Sequence, residues 1–216
     1  MLLALDTATQ YASIALYDGQ SVVAELNWRS DRRHTVELAP QVNNLLRLAG
    51  VAPADLTALA TGIGPGSYTG TRIALSYAKG VVLARDLPLI GVPTLDVLAY
   101  PHLPAGRALC AVVAAGRGRY CWAVYAPDDP QPRRLTEFGL DKLPALLPRL
   151  PSPLLFVGEL SSEDKALLDA EWGEDAIILP PALAVRRAGA LAELAWARLQ
   201  RGDVDDPVAL SPIYLG

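Results

Sequence analysis

The stretch Gly62-Ile63-Gly64-Pro65-Gly66-Ser67-Tyr68-Thr69-Gly70-Thr71-Arg72 stands between an apolar run at 56–61 and a long apolar segment at 73–85. That order predicts strand, glycine-rich turn, helix. Glycines permit positive φ and close backbone approach, and Ser67, Thr69 or Thr71 can cap the helix that follows. N–H groups at such a helix start can also cradle a phosphate. The stretch nevertheless departs from the known phosphate loops. The lysine-bearing loop requires Gly, four residues, then Gly-Lys-Ser/Thr, and in the dinucleotide pattern Ser67 stands where the third glycine belongs. Pro65 removes one more donor. Chemistry alone favours a structural turn over an anion site and leaves both open.

Working outward, residues 2–5 are apolar, 12–17 alternate about Ile14 and Leu16, and 22–28 follow the turn signal Asp18-Gly19, so three strands joined by tight turns are expected. Val36, Leu38, Ala39, Val42, Leu45, Leu46 and Ala49 then recur at helical spacing, with Gly50 as the stop. A short helical turn is expected at 53–55. Beyond the loop, Ile73, Ala74, Tyr77, Ala78, Val81 and Val82 make a broad apolar helix surface; 89–92 is a short strand and 94–100 a helix. Pro101 and Pro104-Ala105-Gly106 break the pattern, which divides the chain into 1–103 and 104–216.

The second half repeats the order. Strands are expected at 108–114, 120–125 and 134–138, then a helix at 140–147, a strand at 154–157, a helix at 161–171, a strand at 177–179 and an amphipathic helix at 185–201 stopped by Gly202. Three strands followed by alternating helix and strand, twice, predicts two related α/β domains with mixed sheets, with the last helix able to pack back on the first domain. One larger α/β sheet is the alternative.

Composition narrows the function classes. With 216 residues, 51% of them hydrophobic and 19% charged, the chain can fill one large core or two small ones and is too apolar for disorder. The opening Met1-Leu2-Leu3-Ala4-Leu5-Asp6 lacks the pattern of a signal peptide, and Asp6 interrupts it too early for a membrane span, so the cytoplasm is the expected location, with no membrane partner. The net charge is −4. Against that balance the arginine clusters (Arg29, Arg32 and Arg33; Arg117 and Arg119; Arg133 and Arg134; Arg186 and Arg187) read as solvated surface, and any nucleic-acid role as one shared with a partner. Cys110 and Cys121 lie in strand-like apolar runs and read as buried free thiols. His34 and His102 have no histidine neighbour at helical spacing, so no protein-built metal site is expected.

The ordered segments Leu5-Asp6-Thr7-Ala8-Thr9, His34-Thr35, Gly64 through Ile73, Ile90-Gly91-Val92-Pro93-Thr94-Leu95 and Pro212-Ile213-Tyr214-Leu215 together resemble the TsaB (YeaZ) family, a branch of the actin/sugar-kinase/Hsp70 superfamily. The resemblance spans nearly the whole chain and is strongest in its first hundred residues. It implies two actin-like (RNase H-like) domains with mixed sheets flanked by helices. It also implies a non-catalytic scaffold that pairs with a TsaD-like catalytic subunit in making threonylcarbamoyladenosine on tRNA. A TsaE-like ATPase would join the assembly, tRNA and ATP would be met only within it, and the chain alone would form a homodimer. TsaD-like proteins bind their metal through a paired-histidine helix, which this chain lacks. One departure stands out: the family often opens its second domain with Ile-Asp-Ala-Arg, whereas this chain has Val113-Ala114-Ala115-Gly116-Arg117, without the acid.

Two sets of residues follow as site expectations. Both helices flanking the second half of the first domain carry more apolar residues than one sheet-facing stripe needs, and the resemblance implies that they pack on the equivalent pair of a partner. Leu38, Val42, Leu45, Leu46, Ala74, Tyr77, Ala78 and Val81 are the expected contacts; cover by the same chain is the alternative. Asp6, Thr7, Gly64, Gly66 and Ser67 would form a vestigial phosphate or nucleotide loop. Asp6-Thr7 at a strand end also makes a good local turn, and that structural role is the favoured one. The competing function is an ATP-dependent small-molecule kinase or ATPase of the same superfamily, which would use the Asp6 and 64–70 loops.

Overall fold

A computed structural model describes residues 1–31 and 33–215, so Arg32 of the first arginine cluster lies outside the described residues. The strands and helices in chain order are β1 (Leu2–Asp6), β2 (Tyr11–Tyr17), β3 (Val22–Arg29), α1 (His34–Ala49), β4 (Ala58–Gly62), α2 (Tyr68–Arg85), β5 (Leu89–Val92), α3 (Thr94–Ala99), β6 (Leu109–Ala114), β7 (Tyr120–Tyr125), β8 (Gly139–Asp141), α4 (Leu143–Leu146), β9 (Leu154–Gly158), α5 (Ser162–Trp172), β10 (Ala176–Ile178) and α6 (Ala188–Leu199).

Two five-stranded mixed sheets result, ordered β3-β2-β1-β4-β5 and β10-β9-β6-β7-β8. Their wiring is the same. In each, the first strand pairs antiparallel with the second and parallel with the fourth, the second pairs antiparallel with the third, and the fourth parallel with the fifth. These are the two related α/β domains with mixed sheets expected from the order of elements.

The chain divides into a unit of Met1–Val97 with Arg186–Tyr214 and a unit of Leu98–Val185 with Leu215. The division drawn from the sequence fell at 103/104 and allowed the last helix to pack back on the first domain; the contacts group the whole segment Arg186–Tyr214 with the first unit.

In the first unit the strand period explains the burial. Leu3 and Leu5 of β1 register opposite Leu16 and Ile14 of β2, and these four join Leu38, Val42, Leu45, Leu46, Ala74, Ala78 and Val82 of α1 and α2 in one core. The alternate residues face α6: Ser13 accepts a hydrogen bond from the Ala188 N–H at 2.7 Å, and the Tyr17 ring meets Trp196 edge-on at 5.9 Å. A sheet covered on both faces explains why β1 is buried at every position.

The second unit has its own core of Cys110, Val112, Trp122, Val124, Leu143, Leu146, Phe156 and Leu168, among others. Its third strand lies later than expected. Residues 134–138 supply one isolated bridge, Tyr125 to Arg134, and β8 forms at Gly139–Asp141. The reason is Trp122: a Cβ at Gly139 would stand 2.2 Å from its indole, so only glycine lets the strand pass, and Asp141 accepts the indole N–H at 2.9 Å. Pairing at 139–141 consumes the start of the expected helix and leaves only the single turn of α4.

Candidate functional site

The turn from β4 into α2 is built on close backbone approach. A Cβ at Gly66 would lie 2.4 Å from the Ala8 carbonyl oxygen, and one at Gly70 would lie 2.1 Å from that of Thr7. The loop therefore seats directly on the β1–β2 turn, and it does so with its own donors. Ser67 N–H donates to Ala8 O at 2.6 Å, Gly64 N–H to Thr94 Oγ1 at 3.0 Å, Gly70 N–H to Ser67 Oγ at 3.2 Å and Thr71 N–H to Ser67 O at 2.9 Å. Ser67 is the N-cap of α2. Thr7 Oγ1 donates to Gly70 O at 2.6 Å and accepts from Ala74 N–H. Of the five expected loop residues, Thr7, Gly64 and Ser67 thus use their groups within the chain.

Asp6 is closed in the same way. Its Oδ1 accepts the Ala8 N–H at 2.8 Å, and both carboxylate oxygens lie 3.4 Å from Nε of Arg186; the two side chains are 1% and 3% exposed. Arg186 also donates to Thr9 Oγ1 at 2.9 Å and to Tyr11 O at 3.1 Å. This corrects the reading of Arg186 as solvated surface: it is a buried cation whose ion-pair partner lies 180 residues away in sequence, a separation no local pattern reveals. Its neighbour Arg187 does lie at the surface, paired with Glu25.

The expected helix contacts divide by burial. Leu38, Val42, Leu45, Leu46, Ala74 and Ala78 are at most 5% exposed and belong to the core beneath α1 and α2. The sheet and the facing helix absorb most of the surplus apolar width, while Leu38, Val42 and Leu46 also line the grooves between the two helices. Tyr77 and Val81 are half-buried and do reach the surface. Burial raises the Tyr77 hydroxyl pKa above its ordinary value.

What the two helices offer outward includes several of these residues together with others. One groove of about 420 Å³ runs between their first halves, lined by Thr35, Ala39, Tyr68, Arg72, Ser76 and Tyr77 among others. A second, of about 340 Å³, follows between their last halves, lined in part by Asn43, Leu46, Tyr77, Gly80, Val81 and Arg85. Tyr77 lines both, so the two grooves adjoin, and together they make up the furrow along the helix pair. Val36, Leu48, Tyr68 and Leu83 are large apolar residues between 57% and 77% exposed on these helices. At the first groove the Arg72 guanidinium sits 3.9 Å over the Tyr68 ring, and its Nε donates to Tyr214 Oη at 2.6 Å. The tail is held there because Ile213 N–H donates to Ile63 O at 2.7 Å. Nothing in the sequence joined Tyr214 to Arg72, although each lay in a quoted segment.

The two histidines and Glu37 sit in structural surroundings. His34 meets the Thr9 carbonyl through Nε2 at 2.7 Å, and burial lowers the pKa of His102. The indole N–H of Trp28 holds the Glu37 carboxyl below its usual pKa. Among the described residues, no three His, Cys, Asp or Glu side chains gather as a metal site, and no helix is long and apolar enough to cross a membrane.

Comparison with known proteins agrees with this architecture. Residues 28–208 match the family model TsaD, described as tRNA N6-adenosine threonylcarbamoyltransferase. The "tRNA threonylcarbamoyladenosine biosynthesis protein TsaB" of Escherichia coli (strain K12) is 40% identical over 131 residues, 59% of this chain and 56% of that protein. The chain spans about half the length of the curated relatives it matches. Among solved structures, YeaZ from Pseudomonas aeruginosa superposes with a TM-score of 0.80 at 27% identity, covering 99% of both chains. The activator of the 2-hydroxyisocaproyl-CoA dehydratase from Clostridium difficile with bound ADPNP shares the fold at a TM-score of 0.55 and 11% identity, covering 95% of this chain and 98% of that one. With the fold, the loop and the matched family model in agreement, the chain belongs to the TsaB/YeaZ family, within the wider group described by the TsaD model.

Proposed function

We propose that the chain is a non-catalytic subunit for synthesis of N6-threonylcarbamoyladenosine on tRNA, working in the cytoplasm by ordering and activating a TsaD-like catalytic subunit. The observation that carries this is the closure of Asp6. In a kinase or ATPase of this superfamily a carboxylate here would face Mg²⁺ and phosphate. Here Arg186 supplies the positive charge from within, and the loop amides of Gly64, Ser67, Gly70 and Thr71 are bonded to the chain itself. His34 and His102 do not share a helix, so a paired-histidine metal motif is missing as well.

The furrow between α1 and α2 is the face for pairing. It combines apolar side chains with tyrosine and arginine, the residue types concentrated at the energetic centres of interfaces. In isolation the same face would join two copies. Recruitment of a TsaE-like ATPase, and contact with ATP and tRNA, belong to the assembly and not to this chain alone.

The test is reconstitution with the matching TsaD-like and TsaE-like subunits, threonylcarbamoyl-adenylate and tRNA, with and without this chain. Modification that depends on the chain, together with no ATP hydrolysis and no tRNA modification by the chain alone, supports the proposal. Unchanged modification on its omission, or ATP turnover by the isolated chain, overturns it in favour of the kinase-like alternative.

A further inference from the structure

The furrow's charge is one-sided. Of the residues lining the first groove, Arg72 alone is charged; of those lining the second, Arg85 alone. Helix α2 has no acidic residue, and the only one on α1, Glu37, is engaged by Trp28 and Arg33. A chain of net charge −4 thus presents a furrow of exposed apolar and cationic groups with no carboxylate among its lining residues.

Arg72 is also prepared for a carboxylate. Tyr68 stacks on the guanidinium face, Tyr214 takes the Nε–H, and the two tyrosine rings pack at 4.9 Å. Its terminal amino groups have no acid partner among the described residues. The side chain is held in place before binding, which reduces the entropy lost when its planar fork grips a carboxylate. Arg85 differs: it donates to the carbonyls of Pro53, Ala54 and Leu56, and so contributes charge with its hydrogen bonds already made.

We infer that the furrow selects an acidic helical surface of a different protein, one whose apolar residues fill the two grooves while a carboxylate pairs with Arg72. A second negative site would suit Arg85, 13 residues along α2, or about 20 Å by helical rise. A second copy of this chain is the poorer occupant. Pressed face to face, two copies bring furrow arginines together with no free acid from either helix pair, and like-charge contact at an interface is a strong discriminator. This rests on the reading that α1 and α2 form the pairing face, and it adds what that face selects and which residue does so.

The test measures two associations at 50 and 300 mM salt. One is binding of the matching TsaD-like subunit, by calorimetry; the other is self-association, by sedimentation equilibrium. Three forms of the chain are compared: wild type, Arg72→Gln, and Ser76→Trp, which obstructs the groove without changing charge. Both positions are exposed, so circular dichroism should be the same for all three. The expected result is that Ser76→Trp abolishes partner binding and Arg72→Gln weakens it by about tenfold or more at low salt, with a shallower salt dependence. Self-association of the wild type is expected to strengthen as salt rises, as screening relieves the like charges. If Ser76→Trp blocks binding but Arg72→Gln binds like wild type, the face is right and charge selection is overturned. If neither substitution matters, the pairing face itself is wrong.

Discussion

At Asp6 a carboxylate is held almost without water by one backbone amide and one guanidinium. Removing only the guanidinium leaves an uncompensated buried charge, which costs far more than the pair contributes when intact. Arg186→Ala should therefore destabilise the protein by about 3–5 kcal/mol in urea unfolding. Asp6→Asn combined with Arg186→Met should recover part of that loss, because no charge then remains buried. A single-substitution cost below about 1 kcal/mol would mean that water reaches the pair. The thiols give a second prediction at this scale. Burial pushes Cys121 up to about 11 and Cys110 higher still, so both stay protonated at pH 8 and should resist a thiol-specific reagent until the protein unfolds. In the unfolded chain they ionise near about 8.5. Between that value and 11 the folded state holds more protons than the unfolded one, so this contribution to stability falls as pH rises. Urea midpoints measured from pH 8 to 10 should decline, and less steeply in Cys121→Ala.

Among the elements, the loop from β4 to α2 is where sequence and structure agree most closely. Ser67 was one of three candidate caps and is the one that bonds Gly70 N–H; Ser67→Ala should cost about 1 kcal/mol, read as a lower midpoint in thermal unfolding. Gly70→Ala drives a methyl into the Thr7 carbonyl and should cost about 3 kcal/mol, enough to leave the first sheet poorly folded by circular dichroism. These are local features, and local features are what a sequence displays. Strand and helix periods at Leu3, Leu5, Ile14 and Leu16 and along α1 and α2 were legible for the same reason. Periodicity does not say what covers an apolar residue. Leu38, Val42 and Ala74 were expected to meet a partner, with cover by the same chain as the alternative; within the chain the two helices and the sheet bury them together, and Leu38 and Val42 also line the grooves. The partnerships of Asp6 with Arg186 and of Arg72 with Tyr214 span 180 and 142 residues, and only the folded chain brings them together. The late start of β8 was hidden similarly, because it depends on how an indole from β7 lies over Gly139.

On the scale of the whole molecule, the two sheets share one wiring, but the chain does not treat them alike. The second unit is inserted into the first, which is finished only by the segment Arg186–Tyr214. Truncation after Val185 should leave β1, β2, β4 and β5 without the helix that covers one of their faces. The expected outcome is an insoluble or molten product, lacking a cooperative unfolding transition by circular dichroism. A soluble, cooperatively folding fragment would show that α6 is dispensable to the first sheet.

The insertion also sets an order of events during synthesis. Residues 1–97 leave the ribosome ahead of 98–185 but lack α6, the Arg186 that neutralises Asp6, and the Tyr214 that steadies Arg72. Residues 98–185 of the second unit emerge before any of these. The middle of the polypeptide can reach its native form while its beginning is still waiting. The furrow between α1 and α2 is therefore steadied at Arg72 only once Tyr214 has been made, long after the helices that form it.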